Sequence, residues 1–240
     1  MMYPPTLPLA RPVRSIRPLA IAVVVMLGIG MLIDLAALVI TFERVALISA
    51  LIDLPDSVDL GAVETNDSWY ALSGIAQSCC YVLTGIVFVT WLRRARSNAE
   101  AIAPIPHRRD ANWVVFGWIV PIVNLWFPKQ IIDDIWVTSK PADPSLDLLH
   151  PTALQSARRS GLVWAWWLSW LIAMWASRLF YRVTARGDDL ESYLRAANAE
   201  IYFAVPTLIC AVLAAAVVVK ITEFQELRRL PAAPEPVSGP

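Results

Sequence analysis

Apolar positions fall into four long blocks at residues 18–41, 69–92, 162–181 and 201–219. A helix rising 1.5 Å per residue needs ~20 apolar residues to cross a bilayer core of ~30 Å. Each block is long enough. The first is interrupted only by Asp34, and the second carries no charge. The third has Arg178 near its end, and Lys220 closes the fourth. The pattern predicts an all-α polytopic membrane protein with four transmembrane helices. The basic residues Arg11, Arg14 and Arg17 precede a first block too long for a cleaved leader, so it reads as an uncleaved signal-anchor span. Residues 1–16 and 231–240 are Pro-rich and lack periodicity, so both are expected to be disordered tails around a helical domain at 17–230. The linker from Lys140 to His150 has the same character. The stretch VALISALI at 45–52 either extends the first helix or rests on the surface.

A fifth stretch breaks the pattern. Residues 111–127 are 17 uncharged positions, the lower limit for a span, and Pro121 interrupts them. Freed backbone groups in lipid must find protein or water partners. After Pro128 the periodicity turns amphipathic. Ile131, Ile132, Ile135 and Trp136 fall on one face, and Lys129, Gln130, Asp133 and Asp134 on another. Pro128 suits the first turn of such a helix. The expectation for 111–139 is a re-entrant or interfacial segment that returns to the side it left. With both termini cytoplasmic, that places 15 of the 20 Lys/Arg residues inside; a crossing segment changes the balance to about 12 against 8. The re-entrant arrangement fits the positive-inside rule better.

Composition agrees with a membrane protein and narrows the chemistry. Hydrophobic residues are 57% and charged residues 17%, against roughly 45–50% and about 25% in soluble domains. Formal net charge is zero, which gives no indication of nucleic-acid binding. Cys79, Cys80 and Cys210 lie inside apolar runs with no CxxC or Cys/His cluster, so they read as packing residues. No HExxH, GxSxG or phosphate-binding glycine loop is present, and His107 and His150 fall in loops. Asp133 and Asp134 are adjacent, so their side chains diverge on a helix and do not form a catalytic dyad. No catalytic, cofactor-binding or metal-ligating residue is assigned, no cofactor is expected, and the chain reads as non-enzymatic.

Two signatures carry a family resemblance. Residues 91–99, WLRRARSNA, fit the pattern W-x-x-R-A-R-x-N-A. Residues 117–130, GWIVPIVNLWFPKQ, followed by Asp134-Ile135-Trp136, fit a second. Together they resemble a bacterial membrane family known as domain of unknown function 4328, over roughly 71–216. The resemblance implies a multi-span helical membrane protein with Pro-rich tails, and brings no activity, cofactor or catalytic residue.

The polar residues that merit attention are Asp34, Gln77, Arg94, Asn98, Asn124, Gln130, Asp133 and Asp134. Asp34 lies ~10 Å below the outer end of its span. A carboxylate there must face protein or water, and Gln77, Ser73 or Arg178 is a partner by depth. It serves either as a buried hydrogen-bond acceptor or as a proton or cation site. Ser73, Gln77, Cys80 and Thr84 form a polar stripe on the second span. Gly74, Ser78 and Gly85 form a small face beside it, read as packing surface or as the wall of a polar path. Arg93, Arg94 and Arg96 at the inner end of that span read first as a topological anchor; the alternative is that one of them, with Arg94 sharing a face with Asn98, clamps Asp133 or Asp134. Asn124 is expected to satisfy backbone groups freed near Pro121. On the third span Trp164, Trp167, Leu171 and Trp175 share a face, and Arg178 is placed for a cation–π contact with Trp175. The functional expectation is a scaffold or regulatory partner in the plasma (inner) membrane. Its partners would be the lipid bilayer and a membrane protein, and any ligand is unknown. The rival is a small-molecule or ion transporter using Asp34 and the polar stripe.

Overall fold

The computed structural model describes residues 12–103, 105–141, 154, 157, 159–184, 187 and 189–229. The expected tails at 1–11 and 231–240 and most of the 140–150 linker lie outside these residues. The elements are all helical, with no strand among the described residues. They are α1 (Arg17–Asp53), α2 (Leu60–Ile102), α3 (Trp113–Ile119), α4 (Phe127–Ser139), α5 (Gly161–Thr184) and α6 (Leu190–Arg229), with short 3-10 turns at Pro55–Ser57 and Val123–Leu125.

Three of these helices, α1, α2 and α6, are long and apolar enough to cross a membrane. They contain the expected spans at 18–41, 69–92 and 201–219 but run well past them. At 37, 43 and 40 residues they measure ~55–65 Å, about twice the bilayer core. VALISALI extends α1, as one of its two readings held. The expected span at 162–181 lies within α5, which carries Arg178 and Arg182 towards its end and is not among the three.

Local sequence explains the boundaries. Leu54 precedes Pro55, which disfavours the helical region, and it adopts φ −143°, ψ 67°. The Asp59 carboxylate caps α2 by accepting the Gly61 N–H at 2.9 Å, and Asp189 caps α6 by accepting the Ser192 N–H at 2.8 Å. Helix α3 ends at Ile119, and its C-cap Val120, which precedes Pro121, is extended. There Ile122 takes φ 68° and ψ −53° while the Val123 N–H donates to the Pro121 carbonyl at 2.7 Å. That is a three-residue γ-turn of the positive-φ form, rare and strained for a β-branched residue. Pro128 sits in the first turn of α4, as its sequence position predicted.

The chain divides into two compact units. One combines residues up to Ala20, Val89–Ser160 and Val219 onward; the other combines Ile21–Phe88 with Gly161–Val218. The first unit buries polar groups. Lys129, Asp133, Asp134, Arg96, Asn98 and Gln225 all have under 8% exposure, around a core that includes Trp91, Leu92, Ile131, Ile132, Ile135 and Ile221. Gly117 packs against α4, where a Cβ would make ordinary contacts with Phe127 at 3.5 Å and with Ile131 and Pro128 at 3.9 Å. The second unit has the opposite character. Leu32, Val82, Ile86, Ile172 and Val205 point outward, as expected of lipid-facing helices. Its core includes Val23, Ala37, Cys80, Val163, Trp166 and Trp167. The expected tryptophan face is not uniform. Trp164 and Trp175 are exposed while Trp167 is buried and stacks on Trp170 at 4.7 Å.

Charge divides with the units. Among described residues the first unit has thirteen Lys/Arg against six Asp/Glu, and the second has four against ten.

Candidate functional site

In the first unit, the side chains of the WLRRARSNA signature separate by role. Trp91, Ala95, Arg96, Asn98 and Ala99 are buried, while Arg93, Arg94 and Ser97 are exposed. The amide of Asn98 joins three segments. Its Oδ1 accepts the Arg14 backbone N–H at 3.0 Å, and its Nδ2 donates to the Arg14 carbonyl at 2.7 Å and to Gln225 Oε1 at 3.0 Å. Gln225 Nε2 in turn donates to the Ala95 carbonyl and to Ser139 Oγ, both at 2.8 Å. Trp91 Nε1 donates to Thr222 Oγ1 at 3.2 Å. Glu226 Oε1 accepts from Ser15 Oγ at 2.7 Å, Ile16 N–H at 3.0 Å and Arg17 N–H at 3.3 Å. It therefore caps the N-terminus of α1, where unpaired N–H groups and the helix dipole favour an anion. Residues 14–16, inside the tail expected to be disordered, are held by these bonds, and Ile16 is fully buried.

The acidic pair of α4 is a buried ion cluster. Asp134 is fully buried and bound by one residue in three ways. Arg108 Nε lies 2.7 Å and Nη2 2.6 Å from Asp134 Oδ1, and the Arg108 backbone N–H donates to Oδ2 at 3.0 Å. Arg108 Nη2 also donates to the Gln130 carbonyl at 3.0 Å. Asp133 Oδ2 accepts from Lys129 Nζ at 2.7 Å, with Arg159 at 3.8 Å and Arg108 at 4.0 Å. Asp133 Oδ1 is buried without a hydrogen-bond partner among the described residues. Arg109 donates to Gln130 Oε1 at 2.8 Å and lies over the Phe127 ring at 3.8 Å. The arginine that clamps the acidic pair is Arg108, and not one of Arg93, Arg94 and Arg96. Arg94 is exposed and takes no part. The loop after α2 folds back over α4 and brings Arg108 in, whereas Arg94 faces away from this core. At Asn124, the nearby turn is closed, among the described residues, by backbone bonds from the Val123 N–H to Pro121 and from the Asn124 N–H to Val120 at 3.1 Å rather than by the Asn124 side chain.

His107 stands beside this cluster. Both ring nitrogens are buried without a partner among the described residues. Burial lowers its pKa, as do the charges of Arg96 and Arg108, against the opposing pull of Asp134 and Glu100.

In the second unit, Asp34 pairs with Gln77 as expected: Gln77 Nε2 donates to Oδ1 at 3.0 Å. Tyr81 also donates to Oδ1, at 2.8 Å. The other oxygen, Oδ2, receives no hydrogen bond among the described residues, and Asp34 is half-buried. Arg178 lies over Trp175 at 5.7 Å, as expected, rather than on Asp34. Ser73 bonds the Tyr70 carbonyl in its own helix. The small face is open: a Cβ on Gly74 or Gly85 would meet nothing within 4 Å. A further network went unread in the sequence. Arg44 pairs with Asp67 at 2.6 Å and lies over the Tyr70 ring at 4.4 Å, and Tyr70 donates to Glu200 Oε2 at 2.8 Å.

Gln225 was also missed. In KITEFQELRR it looks solvated, yet Val218, Ile221, Thr222 and Gln225 form one buried stripe at helical spacing, the one signal that marked it. Among the described residues no group of three or more His, Cys, Asp or Glu is placed to hold a metal ion.

The family model for the domain of unknown function DUF4328 matches residues 55–223. The chain belongs to this family, and the match extends beyond the 71–216 that the two signatures suggested. No curated relative and no solved structure matches it.

Proposed function

We propose that the chain is a four-span protein of the plasma membrane with both ends on the basic, cytoplasmic side. It would act there as a non-enzymatic scaffold or regulatory partner. The observation that carries the topology is the hydrogen-bond chain Arg14–Asn98–Gln225–Ser139, with Arg228 donating to the Lys140 carbonyl at 2.9 Å. No bilayer fits between groups 3 Å apart, so these four segments share one side. Residues 111–139 would then leave and return to that side, and seven-residue α3, ~10 Å long, is too short to cross. Parity supports the fourth span. Three crossings would separate residue 14 from residue 225, so an even number is needed. Helix α5, 24 residues and ~36 Å long, supplies it. The excess of Lys/Arg in the first unit agrees with a cytoplasmic position.

The scaffold reading rests on how the polar groups are used. Asp134 is taken up by Arg108 and one oxygen of Asp133 by Lys129, and the amides of Asn98 and Gln225 by each other, the backbone and Ser139. What this unit presents outward is predominantly basic, Arg93 and Arg94 included, although Asp110 and Glu223 are exposed as well. The proposed docking face therefore lies on those arginines, since Asp133 and Asp134 are buried. The transporter reading keeps one supporting observation, the half-buried Asp34 with its free Oδ2.

A single cysteine at Leu146, with the native cysteines replaced, tests the topology. It should be labelled only after intact cells are permeabilised, and labelling from outside would overturn the four-span arrangement. Arg93→Glu/Arg94→Glu should abolish partner recovery from native membranes, and an unchanged partner set would refute the docking face. Water-borne reagents reaching a cysteine at Asp34 would favour transport.

A further inference from the structure

The stretch between α3 and α4 has one anchored face and one free face. Val114 and Gly117 are buried against α4, while Phe116, Ile119, Ile122 and Trp126 are 54%, 68%, 70% and 47% exposed. No charged residue occurs from Ala111 to Phe127. The most exposed of the four, Ile122, is also the residue in the strained γ-turn. In water, a β-branched side chain in that conformation, projected from an uncharged loop, has nothing to offset its cost.

We infer that Phe116, Ile119, Ile122 and Trp126 form a wedge that inserts into the headgroup–acyl boundary of an anionic lipid leaflet. The inference rests on the topology proposed above, in which 111–139 returns to the cytoplasmic side. Three helices of the same chain are long and apolar enough to cross a membrane, so the topology proposed above supplies a bilayer. The unit that carries the wedge has thirteen basic against six acidic described residues, complementary to an anionic leaflet. The wedge is shallow by construction. Helix α3 is too short to cross, and the flanking Arg108, Arg109 and Lys129 are tied to α4 and hold its base at the polar level. An exposed aromatic at each end suits the interface. The wedge would fix the height and tilt of the cytoplasmic unit against the membrane.

The test uses the full chain with Cys79, Cys80 and Cys210 replaced by Ala. Single cysteines at Ile119, Ile122 and, for comparison, exposed Arg94 carry an environment-sensitive fluorophore. Each protein is reconstituted in phosphatidylcholine vesicles with or without phosphatidylglycerol. At Ile119 and Ile122 the emission should shift to the blue and lose intensity to nitroxide-labelled lipid, more so with phosphatidylglycerol. At Arg94 it should stay red and be quenched by iodide. Iodide quenching at Ile122 equal to that at Arg94 would overturn the wedge while leaving the topology standing. Blue emission insensitive to nitroxide lipid would mean a protein covers the face, and would overturn the lipid assignment. Equal nitroxide quenching in the two lipid mixtures would remove the anionic preference. Access to Ile122 only from the face opposite Arg94 would overturn wedge and topology together.

Discussion

Replacing Gln225 with Ala should be among the most damaging single changes in the basic unit. Gln225 is 1% exposed and makes three hydrogen bonds, to the Ala95 carbonyl, Ser139 Oγ and Asn98 Nδ2, at 2.8, 2.8 and 3.0 Å. A typical bond contributes ~1 kcal/mol net, but a buried group left without its partner costs ~1–3 kcal/mol. Asn98 keeps its bond to the Arg14 carbonyl, so the main losses fall on the Ala95 carbonyl and Ser139. Two such losses plus the space vacated by the amide give about 3–5 kcal/mol. Gln225→Met keeps most of the volume and removes only the polar bonds, so it should recover the cavity part alone. Arg94→Ala, at an exposed position, should change stability by less than ~0.5 kcal/mol. Denaturant unfolding in micelles measures all three, and limited proteolysis after residue 12 reports whether the Arg14 segment has come loose. The reasoning fails if Gln225→Ala unfolds within ~1 kcal/mol of Arg94→Ala. It also fails if Gln225→Met matches the parent protein.

Asp134→Ala should cost ~3–5 kcal/mol because it leaves the Arg108 guanidinium without its anion. The pair Arg108→Met/Asp134→Leu should be less damaging than Asp134→Ala in the same unfolding assay, and additive losses would refute a coupled clamp. His107 should make stability fall in acid. Its folded-state pKa lies below the ordinary 6.5, so the unfolded chain binds the proton first. The stabilisation is complete above pH 6.5 and is lost as the pH falls from there towards the lowered value. His107→Gln should flatten the unfolding profile between pH 7 and 5, and an unchanged slope would exclude His107 as its source.

The helices were legible because lipid imposes a coarse rule, and 20 apolar residues satisfy it wherever they occur. Pro128, Asp34 with Gln77, and Arg178 with Trp175 were also readable, because each depends on local spacing or depth alone. The partner of Asp134 was not. Arg93, Arg94, Arg96, Arg108 and Arg109 are chemically equivalent candidates, and only the path of the loop after α2 selects Arg108. Gln225 was hidden for a related reason. Its polarity matched the charged helix end around it, while its burial depends on segments some 86 to 130 residues away. The helix ends were underestimated because charge marks where a span leaves lipid, not where its backbone stops being helical.

The Glu226 cap has a consequence for how the protein is made. Its carboxylate meets the hydroxyl of Ser15 across 211 residues of sequence. At a synthesis rate of ~5–20 residues per second, the start of α1 waits roughly 10–40 s for its cap. During that interval the first N–H groups of α1 are left to water or, on the proposed topology, to lipid headgroups. The basic unit therefore closes last, after every apolar helix has been synthesised. On the four-span topology proposed above, a chain that misplaced any one span would carry Glu226 to the wrong face of the bilayer, away from Ser15.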